Sequence, residues 1–318
     1  MKSFETLYTE LQTITGDTST ARLAQFKSWI NDTDTVVLSA TRWPFMETTK
    51  TQLTKASTEG YKIPITLDKI ASVTVTVGTK VYRPKPVESF KYYEYLKSLQ
   101  SIVYSDIPQF FYRNGDEIKI WPIPQTAGNT ITIRGRKSRY DMSLDDYDTG
   151  TIVTATNADE TITGSGTSWA KGTIGNHIKI AYATGDNRWY EIESITDTTH
   201  LELVKPYDGT SIVAGSSTYT IGEFSNIPED FTNLLIYRPL ALYYQMLENT
   251  VMAASYWRLF DGGNEAGLSP DIGGMLKSMM EDYAGHFEGV YMDRLEEVDI
   301  SVRDLSIKNF DYKGEGWS

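Results

Sequence analysis

Apolar residues near the N-terminus recur at helical intervals. Phe4, Leu7, Leu11 and Ile14 fall three and four positions apart and Gly16-Asp17 interrupts them. Leu23, Phe26 and Ile30 then resume the period behind Ser19 and Thr20, residues suited to capping. The first 40 residues therefore predict a helical hairpin. Trp43-Pro44-Phe45 follows, where proline stops a helix and two aromatic rings offer large apolar area for burial.

From about Leu53 the period becomes two. Ile63, Ile65 and Leu67 alternate, as do Val73, Val75 and Val77 ahead of Gly78. Ile118, Ile120 and Pro122 alternate behind Asn114-Gly115, a strong hairpin signal, and Ile131 with Ile133 adds a further strand. Between them Phe90 to Leu99, rich in tyrosine and charge, predicts a short helix. Residues 148–222 are dense in Thr, Ser and Gly. Strands are suggested at Ile178-Ile180-Tyr182, Tyr190-Ile192, Leu201-Leu203 and Tyr219-Ile221, with turns at Gly164-Ser165-Gly166, Gly185-Asp186-Asn187 and Asp208-Gly209. Five or six such strands make a small sandwich or barrel, and one whose ends lie close together suits insertion into a loop of a host domain.

Helical spacing returns after Ile227-Pro228-Glu229-Asp230, a proline and two acids that fit a helix N-terminus on steric and dipole grounds. Phe231, Leu234, Leu235, Leu242 and Met246 trace one face, with Pro239 expected to kink it. Met252 to Phe260 forms a second stretch. A third runs from Ser269-Pro270 through Ile272, Met275, Met279, Tyr283, Phe287 and Val290. The expected fold is α+β. A discontinuous helical core is built from 1–60 and 223–299, an antiparallel β segment covers 61–147, and an all-β sandwich or barrel is inserted over 148–222. Residues 300–318 form an extended C-terminal arm.

Composition narrows the function classes. The chain of 318 residues carries 30 Lys and Arg against 42 Asp and Glu, net -12, which argues against a broad nucleic-acid-gripping surface. Divided along the chain, residues 1–150 are net +2, 151–222 net -4 and 223–318 net -10, so the acidity lies at the C-terminal end. That asymmetry reads either as separate surfaces for different partners or as a solvated helical face. There is no cysteine, which removes disulfides, thiolate zinc sites and cysteine nucleophiles. The charged start does not resemble a signal peptide and no stretch reaches the ~20 apolar residues of a membrane span, so the expectation is a soluble chain with no membrane partner.

Catalytic chemistry finds no support in the sequence. His177, His200 and His286 are scattered and no HExxH spacing occurs. Asp145-Asp146-Tyr147-Asp148 lacks the later ligands of a calcium loop and reads as a solvated turn. Gly164-Ser165-Gly166 has Trp169 where a dinucleotide fingerprint needs its third glycine. No enzyme activity, metal or cofactor is expected. One basic cluster stands out: Arg134, Arg136, Lys137 and Arg139, with alternation placing the first two on one strand face and the last two on the other. It reads either as a contact for an acidic neighbour or a phosphate, or as a solvated strand edge. Phe310, Tyr312 and Trp317 in the tail read either as a frayed terminus or as an arm that orders on a partner.

The order of elements resembles the head-to-tail adaptor proteins of tailed bacteriophages. The resemblance rests on the two-helix start, Trp43-Pro44-Phe45, Ile107-Pro108-Gln109-Phe110-Phe111-Tyr112 leading through Asn114-Gly115 to Ile118-Lys119-Ile120-Trp121-Pro122-Ile123-Pro124, and Ile227-Pro228-Glu229-Asp230 opening the helical C-terminus. It spans about 1–147 and 223–295, while 148–222 resembles a β module that recurs in phage structural proteins. The resemblance implies a virion protein of the neck, assembled in the host cytoplasm as a ring of twelve copies beneath the portal protein. Such a ring carries a tail nozzle or stopper protein and lets genomic DNA pass without specific binding. An acidic channel wall would avoid trapping phosphates, and Glu281, Asp282 and Glu288 are its candidates. For 148–222 the leading expectation is an outward-facing support for tail fibres, spikes or a neighbouring ring. The alternative is a carbohydrate-binding module using Trp169, Trp189, Tyr190 and Tyr207, with at least two of the four expected in the core. From a different class, a tail-associated polysaccharide-degrading protein remains the competing reading.

Overall fold

A computed structural model describes residues 1–99, 103–170, 175–181, 185–262 and 274–283. The fold is an α+β mix, and the described chain forms two compact units: residues 42–140, and residues 1–41 together with those from 141 on.

The 42–140 unit holds two four-stranded sheets. One is ordered β1 (Glu47–Leu53), β8 (Thr130–Lys137), β3 (Leu67–Val77), β4 (Lys80–Tyr82); the other β2 (Gly60–Lys62), β7 (Glu117–Trp121), β6 (Phe110–Asn114), β5 (Lys85–Val87). Every pair is antiparallel except β5 with β6. Alternating residues of both sheets share one core: Val73, Val75, Ile131 and Ile133 from the first meet Tyr61, Phe111, Ile118 and Ile120 from the second. Each such side chain contributes about 1.5–3 kcal/mol by leaving water. The β6–β7 hairpin turns through Gly115-Asp116, with Gly115 at φ 62, where glycine is unstrained. Helix α3 (Phe90–Ser98) is capped by Ser89 and inserts Tyr93 against Phe110, Trp121 and Val87.

Two local readings are corrected here. The alternation of Ile63, Ile65 and Leu67 is not a strand. Pro64 starts a turn closed by the Leu67 amide on its carbonyl at 2.9 Å, which leaves Ile65 93% exposed. Strand β1 begins at Glu47, ahead of the expected start of the β segment at 61. Its sequence Glu-Thr-Thr-Lys-Thr-Gln-Leu is polar on both faces, as an edge strand permits, so alternation gives no sign of it.

In the other unit, α1 (Phe4–Thr15) and α2 (Thr20–Ala40) form the expected hairpin. Ser3 caps α1 by accepting the Thr6 amide at 3.3 Å, and Gly16 ends it at φ 70. Phe4, Leu7, Tyr8 and Leu11 are buried, whereas Ile14 is exposed. After a short turn over Glu229–Phe231 come α4 (Leu234–Met246) and α5 (Thr250–Asp261), the latter ended by Gly262 at φ 94. Helix α4 packs on α1, α2 and α5 and runs unbroken through a buried Pro239. A further helix, α6, covers 275–283 and sets Tyr283 beside Phe231.

Residues 148–222 form a curled six-stranded sheet ordered β14 (Tyr219–Gly222), β11 (His177–Ile180), β12 (Trp189–Asp197), β13 (His200–Leu203), β10 (Thr161–Ser165), β9 (Thr151–Ala155). The curl is drawn together by bridges from β9 to the segment ahead of β14, Ile152 to Ser217 and Ala155 to Ile212. Its inward residues, among them Ile162, Ile178, Ile192, Leu201, Trp169 and Tyr207, form one core. Gly164 and Ser165, expected in a turn, extend β10, and the positive φ falls on Gly166.

Where the chain enters and leaves this sheet, Tyr147 and Ile221 exchange both backbone hydrogen bonds, at 2.8 and 2.7 Å. Polar clamps fasten that neck to the helices. The Phe4 amide donates to the Glu223 carbonyl at 2.8 Å, Ser3 Oγ to Asp146 Oδ2 at 2.9 Å, and Lys27 Nζ to Asp145 at 2.6 Å. The Asn31 side chain both donates to and accepts from the Met142 backbone at 2.9 Å. The Glu223 carboxylate, 5% exposed, accepts the amides of Ser143 and Leu144 at 2.6 and 2.7 Å. Burial raises the pKa of Glu223, with those two amides opposing the shift.

A raised carboxyl pKa adds stability below the unfolded value and loses it as pH rises through the folded one. Asp145, held low by Lys27 and Tyr8, has the opposite sign. Glu223→Gln keeps an acceptor for both amides and removes the buried charge. Its stability relative to the parent chain should therefore climb in urea unfolding as pH rises above the ordinary glutamate value of about 4.3. Glu223→Ala strands both amides and should cost about 1–2 kcal/mol at neutral pH.

Candidate partner-docking surface

Strand β8 carries the basic cluster, and it is an interior strand bonded to β1 on one side and β3 on the other. The strand-edge explanation therefore does not apply. Residues directly opposite across antiparallel strands share a face. Ile131, Ile133 and Gly135 thus face the core, while Thr130, Thr132, Arg134 and Arg136 face out beside Thr49 and Thr51 of β1 and Ser72, Thr74 and Thr76 of β3. Arg134 is exposed, and Arg136 lies between Glu47, opposite it on β1, and Lys69, opposite it on β3. Arg42 also bonds Glu47, at 2.9 Å.

Two register shifts in β3, between Leu67 and Lys69 and between Ile70 and Ser72, create that opposition of Lys69 and Arg136. Bulges re-aim side chains, and like charges directly opposite each other are unfavourable in an isolated sheet. Gly135 makes the arrangement sterically possible, because a Cβ there would lie 2.1 Å from the Lys69 carbonyl oxygen. Just past the strand, Ser138 bonds back to the Thr66 and Ile65 carbonyls at 2.8 and 2.6 Å. A cleft of about 450 Å³ opens there, lined by Leu67, Asp68, Arg113, Ser138 and Arg139. Arg113 donates to the Asp68 carbonyl at 2.9 Å, which brings its guanidinium from β6 into the same cleft. Alternation held for Arg134 and Arg136, and the end of β8 splits Lys137, still in the ladder opposite Leu67, from Arg139 in the cleft.

The sequence cluster pointed to four of these cations and missed two. Lys69 and Arg113 lie far from it along the chain, and the bulges that align Lys69 leave no trace in apolar spacing. Residues 42–140 hold 16 Lys and Arg against 8 Asp and Glu, net +8, and the remainder of the chain holds 14 against 34, net -20.

The other candidates fall elsewhere. Glu281 and Asp282 are exposed on α6, with Lys277 3.9 Å from Glu281, whereas Glu288, Phe310, Tyr312 and Trp317 lie outside the described residues. The Asp145–Asp148 segment is not a free turn. Asp145 accepts Tyr8 Oη at 2.8 Å as well as Lys27, and the Asp146 amide donates to Glu5 at 2.7 Å. Among the described residues no group of three His, Asp or Glu side chains could hold a metal ion. Of the four aromatics considered for sugar stacking, Trp169 and Tyr207 are buried. Trp189 has Lys179 over its ring at 4.7 Å and Phe224 against it in a T-shaped contact. Tyr190 packs beside Tyr207 and bonds Asp186. Trp189 and Tyr190 are half-buried and line a cleft of about 460 Å³ together with His177, Arg188, Glu191 and Lys205.

With these surfaces laid out, the chain can be placed in a class. It is a structural adaptor of bacteriophage type: the SU10 adaptor protein family matches residues 2–165, just over half the chain, and the chain belongs to that family. The matched stretch covers the α1–α2 hairpin, the whole 42–140 unit and the first two strands of the six-stranded sheet. No curated protein matches the sequence. Among the described residues no helix is long and apolar enough to cross a membrane.

Replacing Gly135 with alanine should push β3 off β8 beside Arg134 and Arg136. The expected cost is about 1–3 kcal/mol, read as a lower thermal midpoint, with Thr132→Ala as a neighbouring control that leaves the midpoint nearly unchanged.

Proposed function

We propose that this chain is a head-to-tail adaptor. It forms a ring beneath the portal protein, of the twelve copies that the family resemblance implies, extends the DNA channel and carries the tail nozzle or stopper. The observation that carries the reading is the family match, which gives a phage structural adaptor. The division of charge supports it: a basic β unit offers a docking platform, and an acidic remainder lets DNA slide past without being gripped. In this reading Glu281, Asp282 and Glu288 belong to the channel wall, Phe310, Tyr312 and Trp317 to an arm that reaches a neighbour, and 148–222 to an outward support for fibres or spikes. Assembly takes place in the host cytoplasm and the product is the virion neck. The carbohydrate-binding alternative keeps only Trp189 and Tyr190, because Trp169 and Tyr207 are buried in the sheet's core.

A phage carrying a stop codon early in this gene should accumulate DNA-filled heads without tails, seen by electron microscopy of purified particles. Tailed, infectious particles from such a mutant would refute the proposal. Deleting 148–222 should leave tails that lack fibres if that sheet supports them.

A further inference from the structure

We infer that the cleft beside Trp189, on the six-stranded sheet, is a binding site for a neutral, hydroxyl-rich saccharide. The inference rests on neither the ring nor the fibre reading and gives the sheet a ligand of its own. Three observations carry it.

The first is a set of polar groups that the fold leaves unused. Trp189 and Glu191 lie two residues apart on β12 and so share the sheet face opposite to that of Ile192, which is in the core. Both are half-buried. Among the described residues the Trp189 indole N–H, the Glu191 carboxylate and the Lys205 ammonium have no hydrogen-bond or ion-pair partner in the protein. An indole N–H taken out of water ordinarily finds one.

The second is the balance of the cleft. About 460 Å³ in volume, it is lined by two cations, Arg188 and Lys205, and two carboxylates, Glu191 and Asp208. That volume falls among small-molecule sites. An anion would meet both carboxylates, and a cation would meet both the ammonium and the guanidinium, in each case with like charge at close range. A hydroxyl both donates and accepts, so a ligand carrying several of them satisfies groups of either sign. Val204 and Pro206, both exposed, add apolar wall that suits the C–H face of a sugar ring. A nucleobase would need a free ring to stack on. Trp189 already has Lys179 over its ring at 4.7 Å and Phe224 in a T-shaped contact, while Tyr190 packs on Tyr207.

The third is rigidity. The Val204 amide donates to the Glu191 carbonyl at 2.9 Å, and the Asp208 amide donates to the Tyr190 hydroxyl at 3.1 Å. These bonds pin segment 204–208 beside β12, and Arg188 pairs with Asp208 at 3.5 Å. Such ordering before the ligand arrives lowers the entropic cost of binding.

The test is saturation-transfer NMR of the full chain with glucose, galactose, mannose and N-acetylglucosamine as probes. At least one should give ring-proton signals that saturate, with half-occupancy on the order of 1 mM. Trp189→Phe keeps a ring against Lys179 and Phe224 and removes the N–H, so it should weaken that sugar roughly tenfold. Glu191→Ala/Lys205→Ala removes groups that the fold does not use, so it should keep the circular dichroism spectrum and abolish the signal. If Trp189→Phe does not fold, the double variant decides. Silence of all four sugars with the parent chain overturns the inference, and so does binding that is unchanged in the folded variants. Inorganic phosphate should not displace the sugar; displacement would assign the cleft to anions and overturn the inference as well. The adaptor reading is judged apart, by the stop-codon particles, whichever way the sugars go.

Discussion

One buried carboxylate holds the two-ended unit together. Glu223 stands where the chain leaves the six-stranded sheet, and it accepts two amides from Ser143 and Leu144, on the strand of chain that is about to enter it. Its own carbonyl takes the Phe4 amide at the head of α1. A single residue thus ties the incoming segment, the outgoing segment and the first helix to one point. The desolvation that raises its pKa is offset because both amides would otherwise lack a partner. Helix α1 and the two ends of the curled sheet are thereby held to one another at this neck.

The polar clamps around Glu223 have a structural logic that an apolar seam would lack. Apolar contacts are non-directional and tolerate sliding, whereas Ser3 to Asp146, Asn31 to Met142 and Lys27 to Asp145 each fix a direction and a distance. Individually these are modest, and exposed Asp145 with Lys27 contributes least. Their value is registry. They set which face of α1 and α2 meets the chain at the neck, and they leave the apolar stripe of Phe4, Leu7 and Leu11 free to be buried.

Periodicity made much of this legible. The hairpin, α3, the Asn114-Gly115 turn, four of the six sheet strands of 148–222 and the helices after Pro228 follow from apolar spacing and turn chemistry, whereas β9 is not marked by them and the end of β10 reads as a Gly-Ser-Gly turn. What escaped has physical causes. Strand β1 is polar on both faces because it lies at an edge, and Ile63-Ile65-Leu67 imitates a strand because Pro64 turns the chain in the middle of an alternating run. The basic cluster was half visible: Arg134, Arg136, Lys137 and Arg139 are close in sequence, but Lys69 and Arg113 come near them only through bulged pairing and a second sheet. Net charge misled for the same reason. A boundary drawn at 150 reduced the basic unit's net +8 to +2 by adding residues 1–41, net -2, and the four acids at 141–148.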